Sequence, residues 1–88
     1  MKTDLDIEFD KAFKSISSLK KNLAPDDMLK LYAYYKQATS GNPFQTTVKS
    51  DVRNAFKFNA WTQLNGMSQE NAKKEYINLA KEILNTNF

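Results

Sequence analysis

Apolar side chains recur every three or four positions along almost the whole chain, and only two prolines and two glycines interrupt them. That spacing puts the apolar residues on one face of an α-helix. Alternation with a period of two, the mark of a half-buried strand, is absent over any useful length. The 88 residues, 1–88, therefore read as one small all-α domain, without internal repeat, low-complexity tract or linker. Four helices around one core are expected.

The first helix is predicted over residues 4–20, with Phe9, Ala12, Phe13, Ile16 and Leu19 as its stripe. Thr3 or Asp4 can cap it, and Asp4, Asp6 and Glu8 suit the positive end of the helix dipole. The second is predicted over 25–39. Pro25 fits its first position, where a missing N–H costs nothing, and Gly41 is its stop. Met28, Leu29, Leu31, Tyr32, Tyr35 and Ala38 give its periodicity. A polar connection over 42–50 follows, at roughly nine residues longer than the usual median. The third helix is predicted over 51–64, carrying Val52, Ala55, Phe56, Phe58 and Trp61 and stopping before Gly66. The fourth starts at Ser68, a good N-cap. Ala72, Tyr76, Leu79, Ala80, Ile83 and Leu84 form the cleanest stripe in the chain.

Composition removes several kinds of chemistry. There is no cysteine and no histidine. A disulfide, a Cys/His zinc site, and a thiol or His-activated serine nucleophile are therefore excluded. Two glycines are too few for the common phosphate-cradling loops. No metal and no cofactor are expected. No apolar run reaches the ~18 residues of a membrane span. The opening MKTDLDIEFD carries acids where an export signal has its apolar core, so a cytoplasmic location is expected.

The net charge of +3 is unevenly placed. Residues 1–10 carry Lys2 against Asp4, Asp6, Glu8 and Asp10, a net of −3. Residues 30–57 carry Lys30, Lys36, Lys49, Arg53 and Lys57 against Asp51 alone, a net of +4. At helical spacing Met28, Tyr32 and Tyr35 share one side, with Lys36 one turn beyond Tyr32; Arg53 and Lys57 share another face. Tyr and Lys together suit a flat aromatic ligand that carries phosphate: rings stack, hydroxyls donate and ammonium groups neutralise. The same tyrosines equally fit half-buried core positions, and the same lysines a solvated face. Among rival functions, an enzyme would need an acid–base pair, yet no carboxylate stands isolated on an apolar face. A nucleic-acid module would need a denser basic face than any helix here carries. A plain helical scaffold is the third alternative.

Residues 28–41, MLKLYAYYKQATSG, resemble the signature of the acyl-CoA-binding protein family, Y-x-x-Y-K-Q-A-T-x-G. Residues 57–68, KFNAWTQLNGMS, are similar to the family's K-W-x-A-W-x-x-L-x-G-x-S segment, and 72–77, AKKEYI, to its A-x-x-x-Y-I. Phe9-Asp10-Lys11-Ala12 fits the usual start. The likeness covers nearly the whole chain, with the motifs in family order.

The resemblance implies a four-helix bundle, packed up-down-down-up, with a long connection between the second and third helices. It implies a non-enzymatic carrier and pool former for medium- to long-chain fatty acyl-CoA esters. By position, Tyr32, Lys36 and Lys57 would hold the ribose 3′-phosphate and Tyr35 would stack on the adenine. Tyr76 would close the site from the fourth helix. Arg53 would face the phosphates, and Phe9 and Ala12 would lie near the nucleotide. Met28 and nearby apolar residues of the second and third helices would line the acyl path. The expected partners are long-chain acyl-CoA and, transiently, membranes or acyl-CoA-using enzymes, with no nucleic acid. A monomer is expected. Three departures stand out: Phe58 replaces the first Trp of the usual pair, Ser17 a frequent basic residue, and the connection is one residue shorter.

Overall fold

Four helices form close to where the periodicity puts them: α1 (Asp4–Ser17), α2 (Pro25–Ser40), α3 (Val52–Thr62) and α4 (Gln69–Thr86). This computed structural model describes residues 3–19, 23–41 and 52–86, the side chains of 52–54 and 86 excepted. The predicted connection over 42–50 lies outside the described residues, among which there is no strand.

The termini follow from local hydrogen bonding. Thr3, not Asp4, caps α1: its hydroxyl accepts from the Asp6 N–H at 3.2 Å, and its own N–H donates to the Asp6 carboxylate at 3.3 Å. This reciprocal pair satisfies two backbone donors that the first turn leaves open. The helix ends at Ser17, three residues before the predicted end. Ser18 is the C-cap residue. Its hydroxyl donates to the Lys14 carbonyl at 2.8 Å, where its backbone N–H also points at 3.0 Å.

Pro25 occupies the first turn of α2 as expected. At the other end Gly41 takes φ +77°, a left-handed value that glycine tolerates freely, and its N–H donates to the Gln37 carbonyl at 3.1 Å. Helix α3 stops at Thr62, two residues short of the predicted end. There the Leu64 and Asn65 N–H groups turn to carbonyls three residues back, at 3.0 and 3.1 Å. Ser68 caps α4, accepting from the Asn71 N–H at 3.0 Å.

Cross-helix contacts fix the directions. Asp6 meets Lys73 and, one turn on, Phe9 meets Tyr76, so α1 and α4 run parallel. Gln69 donates to the Ala38 carbonyl, which sets the start of α4 against the end of α2 and makes that pair antiparallel. Lys57 lies on Tyr32 and Trp61 bonds Gln37, so α2 and α3 run parallel. The bundle is therefore up-down-down-up. The packed pairs are α1 with α4, α2 with α4, and α2 with α3.

The core joins Phe9, Leu31, Ala38, Ala72, Tyr76, Ile77, Ala80 and Ile83 from α1, α2 and α4. Alanines at 38, 72 and 80 leave room for close backbone approach, and the large residues fill the space between. Four stripe residues depart from the expectation: Phe13 is 38% exposed, Met28 54% and Phe56 57%, and Ala55 is exposed as well. Among the described residues, no helix is long and apolar enough to cross a membrane.

Candidate functional site

Gln37 organises the ground on which the site stands. It is fully buried on α2. Its amide N–H donates to the Met67 carbonyl at 2.7 Å, and its amide oxygen accepts from the Trp61 indole N–H at 3.0 Å. The same indole N–H also lies 3.0 Å from the Gly41 carbonyl. One side chain thus ties α2 to α3 and to the turn before α4. A buried amide left unpaired would be costly, so this hub fixes how α3 lies along α2. Phe58 packs edge-on against Trp61, with centroids 6.1 Å apart.

On the flank of α2 that faces α1 and α4, Phe13, Leu31, Tyr32, Tyr35, Lys36 and Tyr76 line a cavity of about 450 Å³. The rings behind it are already stacked. Tyr35 lies 4.8 Å from Phe13 and 6.0 Å from Phe9, both near parallel, and Phe9 meets Tyr76 edge-on at 5.0 Å. Such pairs hold rings in a fixed orientation and add roughly 0.5–1.5 kcal/mol each beyond their burial.

One cation, Lys36, lines this cavity, and a second, Lys57, rests on the Tyr32 ring of its wall. The Lys57 ammonium sits 5.3 Å from the centre of the Tyr32 ring, and the Lys36 ammonium 5.2 Å from that of Trp61. Both are cation–π contacts. Among the described residues neither ammonium pairs with a carboxylate, so both charges are available to an anion. Burial, reinforced by neighbouring Tyr35, pushes the Tyr76 hydroxyl up to about 12. It keeps its proton at neutral pH, as an ordinary tyrosine does. The arrangement offers stacked rings, hydroxyl donors and two cations to one guest.

A second hollow, of about 470 Å³, lies on the opposite flank of α2, against α3. Apolar residues such as Leu29, Phe56 and Leu64 share its wall with Asp26, Lys30 and Gln63. It is slightly the larger, but it lacks the ring cluster and the two unpaired cations.

Residues 6–80 match the family model described as acyl-CoA-binding protein. The chain belongs to the acyl-CoA-binding protein family. Members bind and carry acyl-CoA without transforming it, and this chain does the same. It is 38% identical to the acyl-CoA-binding protein of Saccharomyces cerevisiae over 77 residues, 86% of this chain and 88% of that protein. It is 35% identical to acyl-CoA-binding protein homolog 1 of Caenorhabditis elegans, over 89% of this chain and 92% of that one. The crystal structure of Oryza sativa acyl-CoA-binding protein 2 superposes with a TM-score of 0.87 at 30% identity, covering 94% of this chain and 93% of that one.

Four of the residues singled out from the family signature, Tyr32, Tyr35, Lys36 and Tyr76, line the same cavity. Lys57 reaches it across Tyr32. Phe9 stands behind it, 5% exposed, touching Tyr35 and Tyr76. Ala12 is half-buried beside the core and does not line the cavity. Met28 stands outside on the surface, one turn before Tyr32. The backbone of Arg53 belongs to α3, but its side chain lies outside the described ones. Two residues were missed. Phe13 shares the period of the α1 core stripe, so spacing alone could not separate it. Gln37 lies within the family string, and its use as a hub depends on Trp61, which is far away in sequence.

Proposed function

We propose that this protein binds medium- to long-chain fatty acyl-CoA esters, one per chain, with the nucleotide in the tyrosine-lined cavity. It then acts as a carrier and pool former. The observation that carries this reading is the meeting of Tyr32, Tyr35, Lys36 and Tyr76 at one cavity with Lys57 beside it. Lys36 and Lys57 neutralise the 3′-phosphate, together with the Tyr32 hydroxyl. The Tyr76 hydroxyl donates from the α4 side. Arg53, one turn before Lys57, adds charge toward the phosphates. Phe9 and Ala12 back the nucleotide end from α1. The acyl chain leaves past Met28 toward the apolar residues of α2 and α3.

Magnitudes support this division of labour. Each methylene removed from water contributes roughly 0.8 kcal/mol, so a long chain supplies on the order of 10 kcal/mol gross. A charged hydrogen bond to phosphate adds roughly 1.5–3 kcal/mol. Lost freedom on association subtracts about 4–15 kcal/mol. Long-chain esters then bind tightly, free coenzyme A weakly, and a bare fatty acid loses every head contact.

In this reading residues 1–88 are a single acyl-CoA-binding domain, the working unit is a monomer, and it requires no cofactor. Its place is the cytoplasm, with brief contacts to membranes or acyl-CoA-using enzymes at loading and delivery. Calorimetry against acyl-CoA esters of increasing length tests it. Affinity should rise with each added pair of methylenes and then level off, at one ligand per chain. Equal affinity for the free acid and its CoA ester would overturn it.

A further inference from the structure

Phe13 follows the period of the core but does not enter it. It is 38% exposed, whereas Phe9, one turn earlier on the same helix, is 5% exposed. Its ring nevertheless has a fixed place, 4.8 Å from Tyr35 and within 26° of parallel. It also borders the cavity with Tyr32, Lys36 and Tyr76. Tyr35 already has Phe9 on its ring at 6.0 Å, within 21° of parallel. So Tyr35 is held by two rings of α1, and Phe13 is the outermost ring of the stack. A phenyl group has no polar atom to justify its exposure to water. An oriented, part-exposed ring in a cavity that Lys36 also lines is a stacking surface for an aromatic anion.

We infer that Phe13 is a specificity-determining residue of this site, presenting the ring on which the purine of the ligand stacks and holding Tyr35 in place behind it. The inference rests on the reading of the cavity as the nucleotide site. It shifts base recognition outward, from Tyr35 alone to a two-ring platform shared by α1 and α2. The residue then governs the nucleotide and leaves the acyl chain untouched.

The test compares two ligands on four proteins by calorimetry. One ligand is a long-chain acyl-CoA. The other carries the same acyl group on 4′-phosphopantetheine and lacks the adenosine bisphosphate. The proteins are wild type, Phe13→Ala, Phe13→Leu and Phe13→Tyr. Wild type should prefer the complete ligand. Phe13→Ala and Phe13→Leu should each bind it about tenfold more weakly, the loss of one base–aromatic stack. Both should bind the truncated ligand like wild type, and Phe13→Tyr should restore full affinity. Phe13→Leu keeps apolar bulk in place, so a fold defect of the alanine variant cannot mimic the result. Wild-type discrimination by Phe13→Leu would overturn the inference, as would equal losses on both ligands. Failure of wild type to discriminate between the ligands would instead overturn the nucleotide reading of the cavity, and the inference with it.

Discussion

Among the described residues, helices α1, α2 and α4 share one buried apolar cluster, whereas the packing of α3 on α2 is organised around a buried polar group. The first group shares eight buried apolar side chains. The second attachment centres on Gln37, Trp61, Gly41 and Met67, with two lysines resting on rings nearby. Phe56 on α3 is 57% exposed, more than any core residue of the other three helices. The three-helix group keeps the chain folded and holds the tyrosines. Helix α3 brings Lys57, and the buried Gln37 amide adds polar geometry to its packing on α2. Stability and ligand capture therefore draw on different interactions, and variants can separate them.

The largest effect should come from the core. Replacing Ile83 by Ala leaves a void among α1, α2 and α4 and should lower stability by about 2–5 kcal/mol in chemical denaturation. Affinity of the folded fraction for acyl-CoA should not change. A comparable loss of affinity would erase the division between the two regions. Lys36→Ala should do the reverse. Binding of a long-chain acyl-CoA should weaken by roughly 1.5–3 kcal/mol, while the melting temperature stays near that of wild type. Unchanged calorimetric affinity in that variant would remove Lys36 from the phosphate site.

Gln37→Ala probes the attachment itself. It strips the Met67 carbonyl and one partner of the Trp61 indole, at a cost of about 1–3 kcal/mol. Amide hydrogen exchange should speed up through residues 57–62 well before it does so in α4. A uniform increase across all helices would mean that α3 is not a separately held unit. The smallest effect belongs to Asp6, whose carboxyl is held below the usual carboxylate range by its hydrogen bond to Lys73 and by the Thr3 backbone. A lowered folded value stabilises the protein above the unfolded carboxyl's pKa and ceases to do so as pH falls through the folded one. Asp6→Asn should therefore lower the melting temperature slightly at neutral pH, with the difference closing in acid. A difference that persisted in acid would show that the side chain's shape, not its charge, is what matters.

The sequence carried the helices and most of the site because both are periodic or local signals. Pro25, Gly41 and Ser68 mark helix ends through their own backbone chemistry. Tyr32, Tyr35 and Lys36 lie within four residues of one another, so a single helix brings them together. What could not be read depends on which neighbour covers which arc of a helix. Phe9 and Phe13 have the same period, yet only Phe9 faces both α2 and α4 deeply enough to be buried. Met28 is periodic with Tyr32 but stands clear of its cavity. The end of α1 at Ser17, with Ser18 as its cap, lies inside the apolar period that runs on to Leu19, so no hydrophobic pattern registers it.

The parallel pairing of α1 with α4 has a consequence for how the chain reaches this state. Asp6 and Lys73 are 67 positions apart, yet they meet near the starts of their helices. In a bundle of successive antiparallel hairpins, each helix finds its neighbour across a short loop. Here the first and last helices must find each other across most of the chain, and closure of so long a loop is entropically unfavourable before any contact rewards it. Rates of folding fall as contacts become more distant in sequence. This topology should therefore fold more slowly than a simple up-down bundle of equal length, with the docking of α1 on α4 as its most demanding step.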